Sequence, residues 1–191
     1  MNLDTKPLIE KSLAGDRNAF KALIEANQRL VMHVVYKMVS NRSDIEDICQ
    51  DVFVKVYQNL TGFKHDSKLS TWIAKIAYNT TINYLEKKKV PLFDDLSPEE
   101  MTLDHLSGNG TAPDDLSEQG ELSGILKDQI DHLPVQFRTI LTLYHLDEMT
   151  YKEIGKIMDL PEGSVKSYLF RARKLLKDSL LSKYEVKELV Q

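Results

Sequence analysis

The sequence of 191 residues contains a single cysteine, Cys49, and no long run of apolar residues. One cysteine excludes an internal disulfide, and its place in an apolar helical pattern predicts a buried thiol without redox chemistry. Apolar runs are only a few residues long, whereas a membrane-spanning helix needs roughly 20. Because no basic start followed by an apolar stretch opens the chain, we expect a cytoplasmic protein.

Residues typical of catalytic or metal sites are also scarce. The five histidines are His33, His65, His105, His132 and His145. They share no metal-ligand spacing, and no glycine-rich phosphate loop is present. A DNA-acting enzyme such as a recombinase needs arginines around its phosphoryl transition state, yet residues 1–90 hold only the dispersed Arg17, Arg29 and Arg42. We therefore predict a protein that is not an enzyme and has no metal or other cofactor.

The formal charge of −4 is distributed unevenly along the chain. Residues 94–121 contain nine carboxylates and no lysine or arginine, which leaves +5 for the rest of the chain. This segment also contains Pro98, Pro113 and three glycines, and it breaks the hydrophobic periodicity. These features predict a solvated, flexible linker between a domain at 1–93 and a domain at 122–191.

Apolar residues in both domains recur at intervals of three and four, which predicts an all-α fold of two small helical domains. In the first domain, Asp16 is expected to open a long helix that ends near Ser40. Ser43 and Glu46 have the spacing of a capping box for a second helix. A third helix is expected from about residue 70 to residue 89.

The second and third helices carry the first candidate surfaces. The second has an acidic exposed face made of Asp44, Glu46, Asp47, Gln50, Asp51 and Lys55. The third interleaves aromatic, amide and basic side chains: Trp72, Lys75, Tyr78, Asn79, Asn83, Tyr84, Lys87, Lys88 and Lys89. Stacking on aromatics with lysines along the phosphates suits single-stranded nucleic acid. Core aromatics followed by a solvated basic helix end would give the same pattern.

The second domain is predicted to contain three helices. The first begins at Pro134, the second is capped by Thr150 and Glu153, and the third begins between Pro161 and Ser164. From residue 163 to residue 177 the third helix carries five cations and no acid: Lys166, Arg171, Arg173, Lys174 and Lys177. The second and third helices are short, are joined by a tight turn and place these cations on the last helix, an arrangement that fits a DNA major groove. A basic helix that is merely solvated is the alternative interpretation.

Five stretches in this order give the chain a family resemblance. They are GDRNAF (15–20), DIEDICQDVFVKVY (44–57), STWIAKIAYNTTINYL (70–85), LPVQFRTILTLYHLDEMTYKEIGKIM (133–158) and PEGSVKSYLFRARKLL (161–176). Together they resemble the extracytoplasmic-function (ECF) sigma factors, the two-domain promoter-specificity subunits of bacterial RNA polymerase. The resemblance implies sigma region 2 in the first domain and region 4 in the second. One departure is Gly155, where the family usually has a small alanine-like residue.

The resemblance also implies the site residues. A polymerase-binding surface would comprise Asp47, Gln50, Asp51 and Phe53, docked on the clamp helices of the largest subunit. Downstream promoter recognition and melting would involve Phe63, Lys64, Ser67, Trp72, Lys75, Tyr78, Asn79 and Asn83. The upstream element would face Ser164, Lys166, Ser167, Phe170, Arg171, Arg173 and Lys174.

The resemblance implies a subunit that binds core RNA polymerase, recognises duplex and single-stranded promoter DNA and promotes strand opening. An anti-sigma factor is a further partner implied by the family. The linker would tether the two domains. If transcription depends on its negative charge as well as on its length, the linker would also mimic nucleic acid in a basic channel of the polymerase. The competing interpretation is a stand-alone transcription regulator, whose first domain would bind a ligand or form a dimer. The exposed acidic face and the missing dimer stripe argue against it.

Overall fold

The computed structural model describes residues 5–90 and 118–188, with side chains for 5–90 and 124–182. Within these ranges the chain is built from α-helices, with no strand. The helices are α1 (Thr5–Leu13), α2 (Arg17–Met38), α3 (Arg42–Asn59), α4 (Leu69–Lys87), α5 (Glu118–His132), α6 (Val135–His145), α7 (Tyr151–Met158) and α8 (Glu162–Glu188). A 3-10 turn at Leu60–Gly62 follows α3. The predicted all-α fold is confirmed. The predicted linker lies outside the described residues, apart from its last four, which begin α5.

Helix α2 forms as its sequence predicts. The Asp16 side chain accepts hydrogen bonds from the backbone amides of Asn18 (2.8 Å) and Ala19 (3.2 Å), which are otherwise unsatisfied at a helix start. The apolar stripe of the helix is fully buried, and it consists of Leu23, Val31, Val34, Val35 and Met38. Helix α2 packs against α1, α3 and α4, so burial of this stripe stabilises the first domain.

The predicted capping box at the start of α3 is wrong. The helix begins at Arg42, and its cap is Asn41, whose side-chain oxygen accepts from the Asp44 amide at 3.2 Å. Glu46 instead faces Arg42 one turn earlier, with the Arg42 Nε 3.3 Å from its Oε1. Asparagine caps a helix about as well as serine, so Asn41 and Ser43 were both candidate caps. The capping-box spacing of Ser43 and Glu46 favoured the wrong residue.

Two helices were not predicted. Helix α1 is short and contributes one deeply buried apolar side chain, Ile9, so its periodic signal is weak. Helix α5 begins inside the segment assigned to the linker and contains Gly120 and Gly124. Glycine lowers helix propensity by about 1 kcal/mol relative to alanine, and Gly120 was among the glycines that predicted a linker. Packing of α5 against α8 overrides that propensity.

The second domain contains a helix-turn-helix formed by α7 and α8. Its predicted capping box is present: the Glu153 amide donates to Thr150 Oγ1 (3.3 Å), and the Thr150 amide donates to Glu153 Oε2 (2.9 Å). Helix α7 ends at Asp159, which adopts a left-handed conformation with φ of 53°. The Leu160 amide then bonds back to the Gly155 carbonyl at 2.9 Å. This tight turn sets the angle at which α8 leaves α7.

Gly155 is required by the close approach of this turn. A Cβ atom at residue 155 would lie 2.6 Å from the Leu160 backbone oxygen. We expect Gly155→Ala to lower the free energy of unfolding by up to about 2 kcal/mol, because a helix propensity gain of about 1 kcal/mol only partly offsets an overpacking cost of about 1 to 3 kcal/mol. Urea denaturation measures the change.

The matched control for this substitution is Gly163→Ala in the first turn of α8, where no atom lies within 4 Å of an added Cβ. It should leave stability unchanged or raise it by at most about 1 kcal/mol. Equal effects of the two substitutions would show that the turn yields to the added methyl group.

The two domains pack against each other through two helix pairs, α2 with α6 and α4 with α7. Buried apolar residues of both domains form one continuous core. Arg138 of α6 lies at this seam and donates to the backbone oxygens of Asp131 (2.6 Å) and Met38 (3.3 Å). Lys37 of α2 lies 2.7 Å from the Asp131 carboxylate. These contacts between the two domains join residues about a hundred positions apart, so no local sequence pattern indicates them.

Candidate nucleic-acid interface

Helix α8 presents the basic surface that its sequence predicts. Val165, Leu169 and Ala172 are buried against the domain core. The opposite side of the helix is exposed and carries Lys166, Ser167, Phe170, Arg171, Arg173 and Lys174, with Ser164 half-buried at its start. Phe170 is 70% exposed, the largest exposed fraction among the large apolar side chains of the described residues. The arrangement leaves one helix face free to enter a groove.

Two of these cations are held by a pair of stacked tyrosines. The rings of Tyr144 and Tyr151 stack with centroids 5.2 Å apart. The Arg173 guanidinium lies 5.3 Å from the Tyr144 centroid, and the Lys166 ammonium lies 5.6 Å from that of Tyr151. Such cation–π contacts restrict long side chains that would otherwise be mobile. The tyrosine pair therefore orients both ends of the basic face, a role that sequence reading did not assign to it.

Arg173 also approaches His145 at the end of α6. The Arg173 Nη2 lies 3.2 Å from the His145 Nε2. Burial, together with the Arg173 charge, lowers the pKa of His145. A neutral imidazole accepts a hydrogen bond from the guanidinium, so the pair adds no second positive charge at this point.

Helix α4 carries a second surface. Four of the predicted residues, Trp72, Lys75, Asn79 and Asn83, recur at intervals of three and four and therefore share one stripe. Asn79 and Asn83 are exposed, whereas Trp72 and Lys75 are half-buried. The stripe combines an aromatic ring, a cation and two amides, which is the set of groups that binds unpaired bases and phosphates.

Other predicted residues of this surface lie deeper. Phe63 is 9% exposed, and its ring lies 5.3 Å from that of Trp72 and 4.6 Å from that of His65. Tyr78 is 8% exposed and lies on the core side of α4. Lys64 is exposed and Ser67 half-buried in the loop before the helix. The structure thus gathers an aromatic cluster beneath the loop.

Tyr84, a candidate stacking residue in the sequence, has a local partner. Its hydroxyl donates to Asp44 at 2.5 Å, and this bond raises the pKa of Tyr84. The Lys88 ammonium lies 5.5 Å from the Tyr84 ring. These contacts tie the end of α4 to the start of α3, so packing explains this tyrosine.

The acidic face of α3 is also exposed. Asp47, Gln50 and Asp51 lie on its solvent side, and Phe53 is half-buried against the core. Val54 and Tyr57 on the same helix are 53% and 57% exposed. Exposed apolar side chains next to acidic side chains are typical of a surface that binds another protein. Cys49, on the inner side of the helix, is buried as predicted, and burial raises its pKa to about 11.

Ion pairs between α7 and the first domain partly cover the α4 surface. Lys75 lies 2.6 Å from Asp159, and Lys68 lies 2.8 Å from Glu153. Burial alone would raise the pKa of Glu153, but hydrogen bonds from Lys68 and Thr150 and the Lys68 charge outweigh it and lower the pKa to about 2. Glu153 is therefore a carboxylate at neutral pH. Sequence reading assigned this residue to the helix cap alone.

Comparisons with known proteins identify both domains. Residues 23–90 match the model of Sigma-70 region 2, and residues 123–176 match that of Sigma-70, region 4. The chain is 32% identical over 184 residues to the ECF RNA polymerase sigma factor SigW of Bacillus subtilis, covering 94% of this chain and 98% of that one. This chain belongs to the ECF sigma factors. It is a promoter-specificity subunit of RNA polymerase.

Other relatives agree with this ECF assignment. The ECF RNA polymerase sigma-E factor of Escherichia coli is 34% identical over 181 residues, covering 91% of this sigma factor and 93% of that one. Two solved structures share the fold. CnrH in complex with the cytosolic domain of CnrY has a TM-score of 0.66 at 17% identity, covering 94% and 99% of the two chains. RpoE in complex with the anti-sigma factor NepR from Bartonella quintana has a TM-score of 0.65 at 20% identity, covering 84% and 96%.

The described part of this sigma factor contains no group of three or more histidine, cysteine or acidic side chains placed to hold a metal ion. Among the same residues, no helix is both long and apolar enough to cross a lipid bilayer.

Proposed function

We propose that three surfaces of this sigma factor divide the work of transcription initiation. The α8 face recognises the upstream promoter element as duplex. The α4 stripe, with the loop before it, holds the unpaired non-template strand of the downstream element. The acidic face of α3 docks on the clamp helices of the largest polymerase subunit. The main observation in support of this proposal is the exposed basic face of α8, which contains no acidic residue from residue 163 to residue 177.

The chemistry of each surface supports its role. Lysine and arginine at the start of a helix reach base edges and phosphates in the major groove. An aromatic ring with neighbouring amides stabilises an extruded base, whose unstacking costs a few kcal/mol. An acidic helix face with exposed apolar groups complements a basic protein surface.

Within the downstream surface we assign different roles to exposed and buried residues. Asn79, Asn83 and Lys64 are exposed and would contact the strand directly. Phe63 and Tyr78 are buried and would support the loop and the helix from beneath. Trp72 and Lys75 are half-buried and would form the boundary between these two layers.

Run-off transcription tests the function as a whole. Core RNA polymerase is incubated with genomic promoter fragments, with and without the protein, and transcripts are sequenced. We expect transcripts from a defined set of promoters only when the protein is present. A stand-alone regulator would bind duplex DNA but would not direct core enzyme to any start site.

Two partners follow from the same proposal. Core RNA polymerase would hold the sigma factor through α3, and an anti-sigma factor would bind it in competition with the polymerase. The solved RpoE neighbour was crystallised with such a partner. We further propose that the protein acts in the cytoplasm, has no catalytic activity of its own and needs no cofactor.

Base contacts and phosphate contacts on α8 should differ in kind. Arg171→Ala is expected to lower affinity at one base position by about 1 to 3 kcal/mol and to relax specificity there. Lys177→Ala should weaken binding to all sequences about equally and should flatten the salt dependence, because one counterion fewer is released. Fluorescence anisotropy of holoenzyme on single-base variants of a promoter, at several salt concentrations, separates the two effects. Identical, sequence-independent losses would contradict this division.

A further inference from the structure

The contact between α4 and α7 joins two DNA-binding domains through charged groups. Besides the Lys75–Asp159 and Lys68–Glu153 pairs, the Lys156 ammonium donates to the Asp66 backbone oxygen at 2.6 Å. In both ion pairs the lysine belongs to the first domain and the acid to the second. The acid of one pair and the lysine of the other are the more buried partners, with Glu153 16% and Lys75 38% exposed, whereas Lys68 and Asp159 are each 70% exposed.

The lysines in these pairs are those that nucleic acid would need. Lys75 lies on the α4 stripe between Trp72 and Asn79, and Lys68 lies at the end of the loop that precedes α4. A carboxylate 2.6 Å from an ammonium group occupies the position that a phosphate oxygen would take. DNA must therefore displace Asp159 before it gains the full charge of Lys75.

The packing also places the two promoter-binding helices too close together for simultaneous use. Helix α4 packs on α7, and α7 packs on α8. Packed helix axes are about 8 to 10 Å apart, so α4 and α8 lie within roughly 20 Å of each other at these contacts. Promoter contacts one to two helical turns apart are separated by roughly 35 to 70 Å. Both domains cannot bind such a promoter in this arrangement.

We infer that the α4–α7 contact is a self-inhibiting latch, in which Glu153 and Asp159 hold the lysines that single-stranded promoter DNA takes over when the domains separate. This inference rests on the proposed function for the role of DNA, but the closed arrangement itself does not depend on it. The free sigma factor binds single-stranded DNA weakly because its own acids compete for Lys68 and Lys75.

The structure allows the latch charges to be removed with little effect on the local fold. Glu153→Gln keeps an oxygen that can accept the Thr150 amide, since glutamine also serves in a capping box. Asp159→Asn suits the left-handed backbone at this residue, which asparagine adopts readily. The matched control is Glu148→Gln with Glu162→Gln, which changes the net charge equally. Both control acids are exposed, and neither forms an ion pair within the described ranges.

The separation of the domains is measured first, without DNA. Spin labels are placed at the exposed sites Gln58→Cys and Asp178→Cys in a Cys49→Ala background, and pulsed EPR gives the distance distribution. Loss of two partly exposed ion pairs should raise the ratio of open to closed molecules roughly three- to tenfold. The control pair should leave the distribution unchanged. Equal distributions in all three proteins would overturn the latch.

Salt provides an independent measurement on the unsubstituted latch. Raising the ionic strength from 0.1 to 1 M shortens the Debye length from about 10 to about 3 Å. The open fraction should then rise in the protein with Glu153 and Asp159 intact and change much less in the double variant. If apolar packing alone held the domains together, the open fraction would change equally with salt in the wild type and in the double variant. That result would also overturn the latch. The salt series stays informative even if the double variant folds poorly.

Binding to a fluorescent single-stranded DNA oligonucleotide of mixed sequence tests the competition for the lysines. We expect the Glu153→Gln, Asp159→Asn variant to bind three- to tenfold more tightly than the wild type, and further Lys68→Ala and Lys75→Ala substitutions together to abolish the gain. Domains that open without tighter binding would overturn the competition. Failure of run-off transcription by the wild-type protein would instead refute the proposed function, whereas the distance and salt results would still decide whether the latch exists.

Discussion

Replacing both Asp47 and Asp51 with lysine is expected to abolish co-purification of the protein with core RNA polymerase. Both side chains are exposed on α3 and lie beside the exposed Val54 and Tyr57. Reversal changes the face by four charges and places cations against a basic partner, where like-charge juxtaposition costs several kcal/mol. Affinity should fall by at least a hundredfold, since each 1.4 kcal/mol is a factor of ten.

The control for this experiment reverses two exposed acids elsewhere in the same domain, Glu10 of α1 and Glu86 of α4. This change of equal charge should leave most of the polymerase binding intact. Thermal unfolding should be similar for both double variants, because all four acids are on the surface. If Asp47→Lys with Asp51→Lys still co-purified with core enzyme, α3 would not be the docking helix.

Asn79→Ala is expected to impair promoter opening about tenfold or more while sparing duplex recognition by α8. The amide is exposed on the α4 stripe, two turns after Trp72, and reaches a base only when that base has left the duplex. Loss of contacts to one unpaired base costs roughly 1 to 3 kcal/mol. Permanganate reactivity of unpaired thymines in the holoenzyme–promoter complex measures the opening.

A template with a pre-melted bubble should rescue most of the Asn79→Ala defect, because the cost of unpairing has already been met. Gln28→Ala, an exposed amide on α2 outside the three proposed surfaces, serves as the matched control and should open the promoter like the wild type. A variant that loses duplex affinity, or that gains nothing from the bubble, would exclude a melting role for this amide.

Amphipathic periodicity was sufficient to predict most of the architecture. The stripes of α2, α6, α7 and α8 are buried as their spacing predicts, because a helix with one apolar face has only one side to place against a core. The exposed faces of α3 and α8 follow from the same reasoning. The Asp16 cap and the Thr150–Glu153 capping box were also readable, since each satisfies backbone amides within three residues.

Local reasoning failed where competing signals were nearly equal. Asn41 caps α3 in place of Ser43, and the two residue types differ little in capping free energy. Helix α5 includes Gly120, which was assigned to the predicted linker, yet packing on α8 stabilises the helix. Helix propensity alone gives Gly155 only a weakening effect on α7, whereas the close approach of the Leu160 oxygen leaves no room for a Cβ atom there. Only for α5 does the deciding packing come from a distant part of the chain, namely α8.

The sequence by itself determined the family, the two helical units and the faces that α3, α4 and α8 present, because helical period and charge order are properties of short segments. Only the tertiary structure decided how the domains meet. Lys75 pairs with Asp159, 84 positions away, and Arg138 reaches the end of α2, 100 positions away. Such pairings depend on the angle at which packed helices cross and on which charged groups lose water at the contact. Both are set by several segments together, so no single segment of the sequence predicts them.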